Sequence, residues 1–240
     1  MRKNRRIGTH FVAAICLGRS MQPTALAILE QEVIDMRPFR KERELRSLSL
    51  RHLHRFPLDA RLADIGAEAA KLIASLEKDE QAKGGTDFLI DITGTGRPAG
   101  EVMRKSDLDP IFVTITGGSK ESETAPRDWN LSKNDLVGSL RVFFEDKRFR
   151  VAKEMPLVEK LVEELNTFSL KQSTVRSNDP ESWRERPDDD LVFAAAIAVW
   201  WANRYLPKPP ATREREDRKF AKFYEEKDRR AAAARLPSRR

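Results

Sequence analysis

Three consecutive aspartates, Asp188, Asp189 and Asp190, precede the long apolar run LVFAAAIAVWWA. The run predicts a buried helix that begins at these three carboxylates. Carboxylates packed this closely repel one another, and burying them is costly unless a cation or hydrogen bonds compensate. An acidic helix start of this kind is therefore a candidate metal site. The alternative is helix capping, because aspartate at the N-cap and in the first turn satisfies free N–H groups and the helix dipole.

A fourth carboxylate, Asp91, lies near the end of a predicted strand and is followed by the turn TGTG. Ligands of open α/β sheets gather at the carboxyl ends of strands, so this carboxylate can reach a metal or a phosphate. The alternative is a glycine turn that only leads the chain into a helix. A dinucleotide site is disfavoured because the third glycine, Gly100, comes one residue too late. The sequence also has no P-loop motif, so we expect no ATPase motor of this type within it.

The composition indicates a soluble globular protein with a highly charged exterior. The chain has 240 residues, of which 40% are hydrophobic and 35% charged, which suits one α/β domain with extensions. A net charge of +7 is compatible with a polyanionic partner. Cys16 is the single cysteine, which excludes a disulfide framework and a zinc cluster built on several cysteines. The three histidines, His10, His52 and His54, are too few and too scattered for a histidine-rich site.

The N-terminus imitates a short signal peptide, because the basic segment MRKNRR precedes the apolar segment IGTHFVAAICLG. Thr9 and His10 interrupt that segment, and we interpret it as a first β-strand. No apolar run reaches the roughly 20 residues that span a bilayer. We therefore expect a cytoplasmic protein, in the host cell cytoplasm if the protein is from a phage, with no membrane partner.

The hydrophobic pattern predicts an α/β fold with a mixed β-sheet flanked by helices. Strands are predicted at 10–17, 24–30, 47–55, 87–92, 110–116 and 149–152, with the first two forming a hairpin. Helices are predicted at 59–80, 98–105, 132–145 and 156–168, and after the three aspartates. The segment 31–46 is predicted to be a loop or weak strand, and 119–131 a polar loop.

The composition changes after Pro207, which predicts a folded domain over 1–206 and a basic tail over 207–240. The tail is rich in charges of both signs and has few apolar residues. It is predicted to be a solvated helix or a disordered arm, with a DNA-binding arm as the alternative. Arg229 and Arg230 in the tail, and Lys133 in the domain, are candidate phosphate contacts.

Several collinear segments carry a resemblance to a known family. IDITGTG, VTITGG, SKNDLV and DDLVFAAAIA occur in this order, and the similarity extends over roughly residues 8–204. In these segments the chain resembles the nuclease domain of phage terminase large subunits, which has a ribonuclease H-like fold. The resemblance implies a nuclease that cuts concatemeric double-stranded DNA during genome packaging, here without the ATPase domain.

The resemblance also implies which residues form the site. Three acidic positions of the family bind two divalent ions. Asp91 matches the acid of the fourth strand, and Asp189 and Asp190 match the paired acid of the last helix, with Asp188 before them. The acid of the first strand falls on Cys16, where the family has an aspartate. Sulfur is a soft ligand and an ordinary thiol is mostly protonated at neutral pH, so one or two Mg²⁺ or Mn²⁺ ions would be held weakly.

Two functions follow from this resemblance. The first is a metal-dependent endonuclease on double-stranded DNA, weakened by Cys16. The second is a catalytically degenerate prophage domain that binds DNA or a packaging partner without cleavage, where the partner is a separate terminase ATPase, a small subunit or a portal.

Glu30, on the second strand, can join the site only if its side chain faces the same end of the sheet. An actin-like sugar kinase would need a second domain, and a purely structural protein with a capped helix is the remaining alternative.

Overall fold

The computed structural model describes residues 5–18, 22–35, 43–78, 85–117, 120–174 and 189–206, and the single positions 222, 226 and 229. The strands among them are β1 (Arg5–Cys16), β2 (Ala25–Asp35), β3 (Arg43–Arg55), β4 (Thr86–Asp91), β5 (Pro110–Thr116), β6 (Ser122–Ala125), β7 (Asp128–Ser132) and β8 (Phe149–Val151). The helices are α1 (Leu62–Glu77), α2 (Arg97–Arg104), α3 (Lys133–Glu145), α4 (Val158–Thr174) and α5 (Asp190–Arg204).

The strands form one sheet in the order β6-β7-β5-β4-β1-β2-β3-β8. β2 runs antiparallel to β1 and β3, and β6 runs antiparallel to β7. The remaining neighbours are parallel. As a result β1, β3, β4, β5, β7 and β8 all end at the same edge of the sheet, which we call the carboxyl edge.

Helices cover both faces of the sheet, because successive strand residues point to opposite sides. Cys16 and Leu89 pack with α3, α4 and α5 on one face. Ile15 and Ile90, their direct neighbours in the chain, pack with α1 and α2 on the other face. Helix α5 is buried along nearly its whole length, as expected for a helix that is apolar on all sides.

The predicted α/β fold class, a mixed sheet flanked by helices, is confirmed. The predicted hairpin is the antiparallel pair β1–β2, and the segment that imitates a signal peptide is β1. The loop predicted at 119–131 is wrong, because the structure has β6 and β7 there. Most of β6 is exposed and polar, so no apolar alternation marked it. β2 and β3 also extend into the segment 31–46, of which 36–42 lies outside the described residues.

The sheet and its helices belong to a compact unit, Met1–Leu206. In the second unit, Pro207–Arg240, the described positions are Lys222, Glu226 and Arg229, and each is helical. The other tail residues, including Arg230, lie outside the described residues, so the role of the tail stays a prediction. In the described part of the chain, no helix combines the length and the apolar character needed to cross a bilayer.

Candidate functional site

The register of the sheet brings Cys16 and Asp91 together. Each is the last residue of its strand, and the two are paired across the parallel strands β1 and β4. Both are buried, and the Cys16 Sγ lies 3.7 Å from the Asp91 Oδ2. Since paired residues point to the same face and Cys16 packs with α5, the carboxylate of Asp91 lies on the α5 face at the carboxyl edge.

The turn after β4 fixes the carboxylate of Asp91. Its Oδ1 accepts the backbone N–H of Thr93 at 2.8 Å. The Thr93 hydroxyl in turn accepts the N–H of Ile115 on β5 at 2.7 Å. Gly94 and Gly96 have φ angles of 81° and 71°, which residues other than glycine rarely adopt. The glycines therefore serve a tight turn that ties Asp91 to the neighbouring strand.

Helix α5 is anchored far from this turn. The indole N–H of Trp201 donates to Asp87 Oδ2 at 2.8 Å, and the side-chain amide of Gln31 donates to the carbonyl of Ala202 at 2.8 Å. Trp200 and Trp201 are both buried, so this aromatic pair belongs to the core. These contacts fix the C-terminal half of α5 against the sheet, and the helix crosses β1, β2 and β3.

The N-terminus of α5 carries two of the predicted site residues, Asp189 and Asp190, and both are buried. Asp189 is the N-cap residue but its side chain makes no capping hydrogen bond. The free N–H groups of Leu191 and Val192 donate instead to Glu164 Oε2 of α4, at 3.1 and 3.2 Å. The capping role that we considered for the aspartates is therefore filled by Glu164. Asp188 lies outside the described residues.

Asp190 is bound by an arginine from the end of β3. Arg55 donates to its two carboxylate oxygens, from Nε at 2.8 Å and from Nη2 at 2.7 Å. The same Nη2 donates to Glu164 Oε1 at 2.5 Å. The side chains of Asp190 and Glu164 are 4% and 1% exposed, so this is a buried network of two acids and one base. We call these three residues the arginine network.

Charges within the arginine network shift the pKa of its members. Burial raises the pKa of Glu164 to about 7, and the negative charge of Asp190 acts in the same direction. The N–H of Val192 and the charge of Arg55 oppose that rise. Burial alone would lower the pKa of Arg55, but its hydrogen bond to Asp190 and the two nearby carboxylates raise it overall.

Sequence reasoning missed Arg55 and Glu164, although each carries a signal. Glu164 lies between Leu161 and Phe168 on the apolar stripe of its helix, where a charged residue is unusual. Arg55 comes two residues after the buried Leu53 on β3, so both side chains point to the same face of the sheet. A charge on a buried face requires a partner, and the two signals together indicate an ion pair.

The donor atoms at this edge do not suit a pair of hard cations. Mg²⁺ and Mn²⁺ prefer carboxylate oxygens, which Asp91 and Asp189 can offer. The position of the first-strand acid holds the thiol of Cys16, and both oxygens of Asp190 accept hydrogen bonds from Arg55. Within the described ranges, no group of three or more acids, histidines or cysteines is arranged to hold a metal ion. The pair of ions implied by the resemblance therefore does not fit these residues.

Two further candidates lie away from the site. Glu30 is paired across the strands with Phe11, whose side chain packs on the α1 and α2 face. The carboxylate of Glu30 contacts Thr9 and Arg51. Its carboxylate therefore does not join Asp91. The ammonium group of Lys133 lies 4.6 Å from the ring centre of Phe168, so it makes a cation–π contact within the fold.

Comparison with known proteins gives structural matches alone. No protein-family model and no curated protein matches the chain. The fold is similar to the terminase nuclease domain of human cytomegalovirus, with 14% identity, a TM-score of 0.49, and coverage of 83% of this chain and 86% of that one. The Mn-soaked form of the same domain matches with 12% identity, a TM-score of 0.49, and coverage of 82% and 84%. The Mn-soaked form with an inhibitor bound matches with 11% identity, a TM-score of 0.49, and coverage of 81% and 83%. All three of these structural matches are forms of a terminase nuclease domain.

Proposed function

We propose that this chain is a terminase-type nuclease domain that cleaves double-stranded DNA with the help of a divalent cation, Mg²⁺ or Mn²⁺. The observation that supports this most is the meeting of Cys16 and Asp91, which are 75 residues apart in sequence, at the carboxyl edge. The acidic start of α5 lies on the same face and is bound to the end of β3. The segments that carry the terminase resemblance therefore converge on one side of the sheet.

In this proposal Asp91 and Asp189 are the carboxylates that would hold one cation. A bound divalent cation supplies Lewis-acid stabilisation of the charge that develops on the phosphodiester. The hydrogen bond from the Thr93 N–H orients the Asp91 carboxylate before the cation binds. Cys16 adds a soft thiol where a hard carboxylate would bind the cation better, so we expect weak binding and slow cleavage.

The second candidate function is a domain of the packaging machinery that binds DNA or a packaging partner without cleaving DNA. Two contacts favour it, namely the thiol of Cys16 against Asp91 and the salt bridge between Arg55 and Asp190. Both reduce the number of oxygen ligands that remain for cations. A separate ATPase, a small subunit and a portal are the partners to test in this case.

Nicking of supercoiled plasmid by the full chain separates the two functions. The assay compares Mn²⁺, Mg²⁺ and EDTA for the wild type, for Asp91→Asn, and for Asp109→Asn as a control. Asp109 has a largely exposed side chain and pairs with Arg127, so its substitution removes the same charge outside the site. Cation-dependent nicking that is lost only in Asp91→Asn supports the nuclease. Plasmid retardation in a gel without nicking, equal in all three proteins, contradicts it and supports the second function.

A further inference from the structure

We propose that Arg55 is a built-in countercharge that takes the place of a second cation at Asp190, so that the site accepts at most one added divalent ion. This inference rests on the proposed function for the identity of the cation, because it concerns the same carboxyl edge. In this role Arg55 is a positioning residue that determines how many ions bind.

The guanidinium of Arg55 forms a two-point contact with Asp190, through Nε and Nη2 at 2.8 and 2.7 Å. Both carboxylate oxygens therefore serve as acceptors for the arginine. A cation at Asp190 would have to share oxygens that already accept hydrogen bonds from Arg55. It would also leave a positive guanidinium beside a second positive charge.

Asp190 and Glu164 are almost fully buried, and two buried acids without a compensating base would be strongly unfavourable. Arginine stays protonated under all ordinary conditions, so Arg55 supplies a permanent positive charge. Arg55 therefore neutralises one of the two carboxylates without a metal, whereas a site built only of carboxylates would have no such countercharge.

Glu164 accepts the N–H groups of Leu191 and Val192 and also accepts the guanidinium of Arg55. The start of α5 is thus held in place by α4 and β3 together. The contact with Arg55 orients Asp190, as a bound metal ion would orient it in a site without the arginine. What remains for an added ion is the Asp91 side of the edge.

Mn²⁺ binding to the full chain tests this inference by isothermal titration calorimetry. Electron paramagnetic resonance of unbound Mn²⁺ provides an independent count of the ions. The variants are Arg55→Gln, which removes the charge, and Arg55→Lys, which keeps it. Arg51→Gln is the matched control, since Arg51 lies on the same strand, is exposed, and pairs with Glu30 instead. Thermal unfolding of every variant establishes that it is folded.

We expect one bound Mn²⁺ or none for the wild type, Arg55→Lys and Arg51→Gln. Arg55→Gln should gain an additional Mn²⁺, or bind Mn²⁺ about tenfold more tightly. If Arg55→Gln does not fold, Cys16→Asp decides the question, because it adds a carboxylate while Arg55 remains. One ion in Cys16→Asp agrees with the inference, and two ions overturn it. Two ions in the wild type, or equal binding by Arg55→Gln and Arg51→Gln, also overturn it.

These outcomes are separable from those of the plasmid assay. If the wild type nicks DNA but Arg55→Gln binds Mn²⁺ no differently from Arg51→Gln, this inference fails and the nuclease function stands. If the wild type nicks no DNA but Arg55→Gln gains a Mn²⁺ ion, the nuclease function fails and the role of Arg55 stands.

Discussion

Cys16 and Asp91 end two adjacent parallel strands, and the Sγ of one lies 3.7 Å from the Oδ2 of the other. An aspartate at position 16 would place two buried carboxyl groups side by side, and such a pair needs a cation or a shared proton. A thiol does not impose this requirement. The carboxyl edge can therefore fold in its present form without a metal ion, while it keeps one oriented carboxylate.

This relationship predicts that Cys16→Asp makes folding depend on a cation. In EDTA the substitution should lower the free energy of unfolding by about 2 kcal/mol or more, because it buries a second like charge. Added Mn²⁺ should restore much of that loss and raise the melting temperature of the variant more than that of the wild type. Cys16→Asn, which has the same shape without the charge, is the control. An equal Mn²⁺ response in both variants would contradict the prediction.

The arginine network predicts a pH-dependent stability. The pKa of Glu164 is about 7 in the folded protein against an ordinary value of 4.5, so folding favours its protonated form. Its contribution to stability is complete below about pH 4.5 and is lost as the pH rises through 7. The full loss is on the order of 3 kcal/mol.

Urea unfolding at pH 5 and pH 8 measures this loss. Glu164→Gln should flatten the dependence over this interval, because the amide does not titrate. Glu163→Gln is a suitable control, since Glu163 is the preceding residue and is largely exposed. Glu163→Gln should retain the dependence of the wild type. An unchanged slope in Glu164→Gln would show that the titration of Glu164 does not cause it.

Two helical glycines predict opposite effects of the same substitution. A Cβ at Gly100 in α2 would lie 2.0 Å from the ring of Phe112, so Gly100→Ala should destabilise the fold by about 2 kcal/mol. A Cβ at Gly138 in α3 would meet no atom within 4 Å, so Gly138→Ala should stabilise the fold by about 1 kcal/mol. Thermal and urea unfolding measure both. Two effects of the same sign would contradict the packing of α2 against β5.

The sequence alone was sufficient for the elements with a strong apolar pattern. The apolar alternation in β3 and the long apolar run of α5 predicted both elements. Ser132 is the N-cap residue of α3, and its hydroxyl accepts the Asp135 N–H at 3.2 Å. β6 could not be found in this way, because an exposed edge strand needs no apolar alternation. Its pairing with β7 depends on backbone hydrogen bonds, which residue types do not reveal.

The candidate site likewise contains residues that the sequence could identify and a contact that it could not. Asp91 and Asp190 could be selected from a strand end and a helix start, where few residue types are suitable. Arg55 could not be assigned to Asp190, which is 135 residues away, because only the folded sheet brings them together. Long side chains of arginine reach partners from several strands, so the partner of a buried arginine depends on packing rather than spacing.

The charge distribution predicts that the tail contributes most of the DNA affinity. Residues 207–240 contain 12 Lys and Arg against 6 Asp and Glu, and thus carry most of the net charge of +7. Replacing five tail arginines by Gln should weaken DNA binding and reduce the salt dependence of that binding. The five are Arg229, Arg230, Arg235, Arg239 and Arg240. Fluorescence anisotropy with labelled duplex DNA at several salt concentrations measures both. A control variant replaces five exposed residues of the folded unit, Arg61, Lys71, Lys78, Arg141 and Lys153, and an equal loss in that control would contradict the prediction.

The nuclease function depends on the Asp91 side of the carboxyl edge as a cation site for DNA cleavage. The rate of Mn²⁺-dependent plasmid nicking by Cys16→Asp, compared with the wild type, tests this claim most directly. Restoring a hard ligand beside Asp91 should raise the rate about tenfold or more, and adding Asp91→Asn to that variant should abolish nicking. If the folded Cys16→Asp protein nicks plasmid no faster than the wild type, or nicks it equally well without Asp91, the carboxyl edge is not a nuclease site.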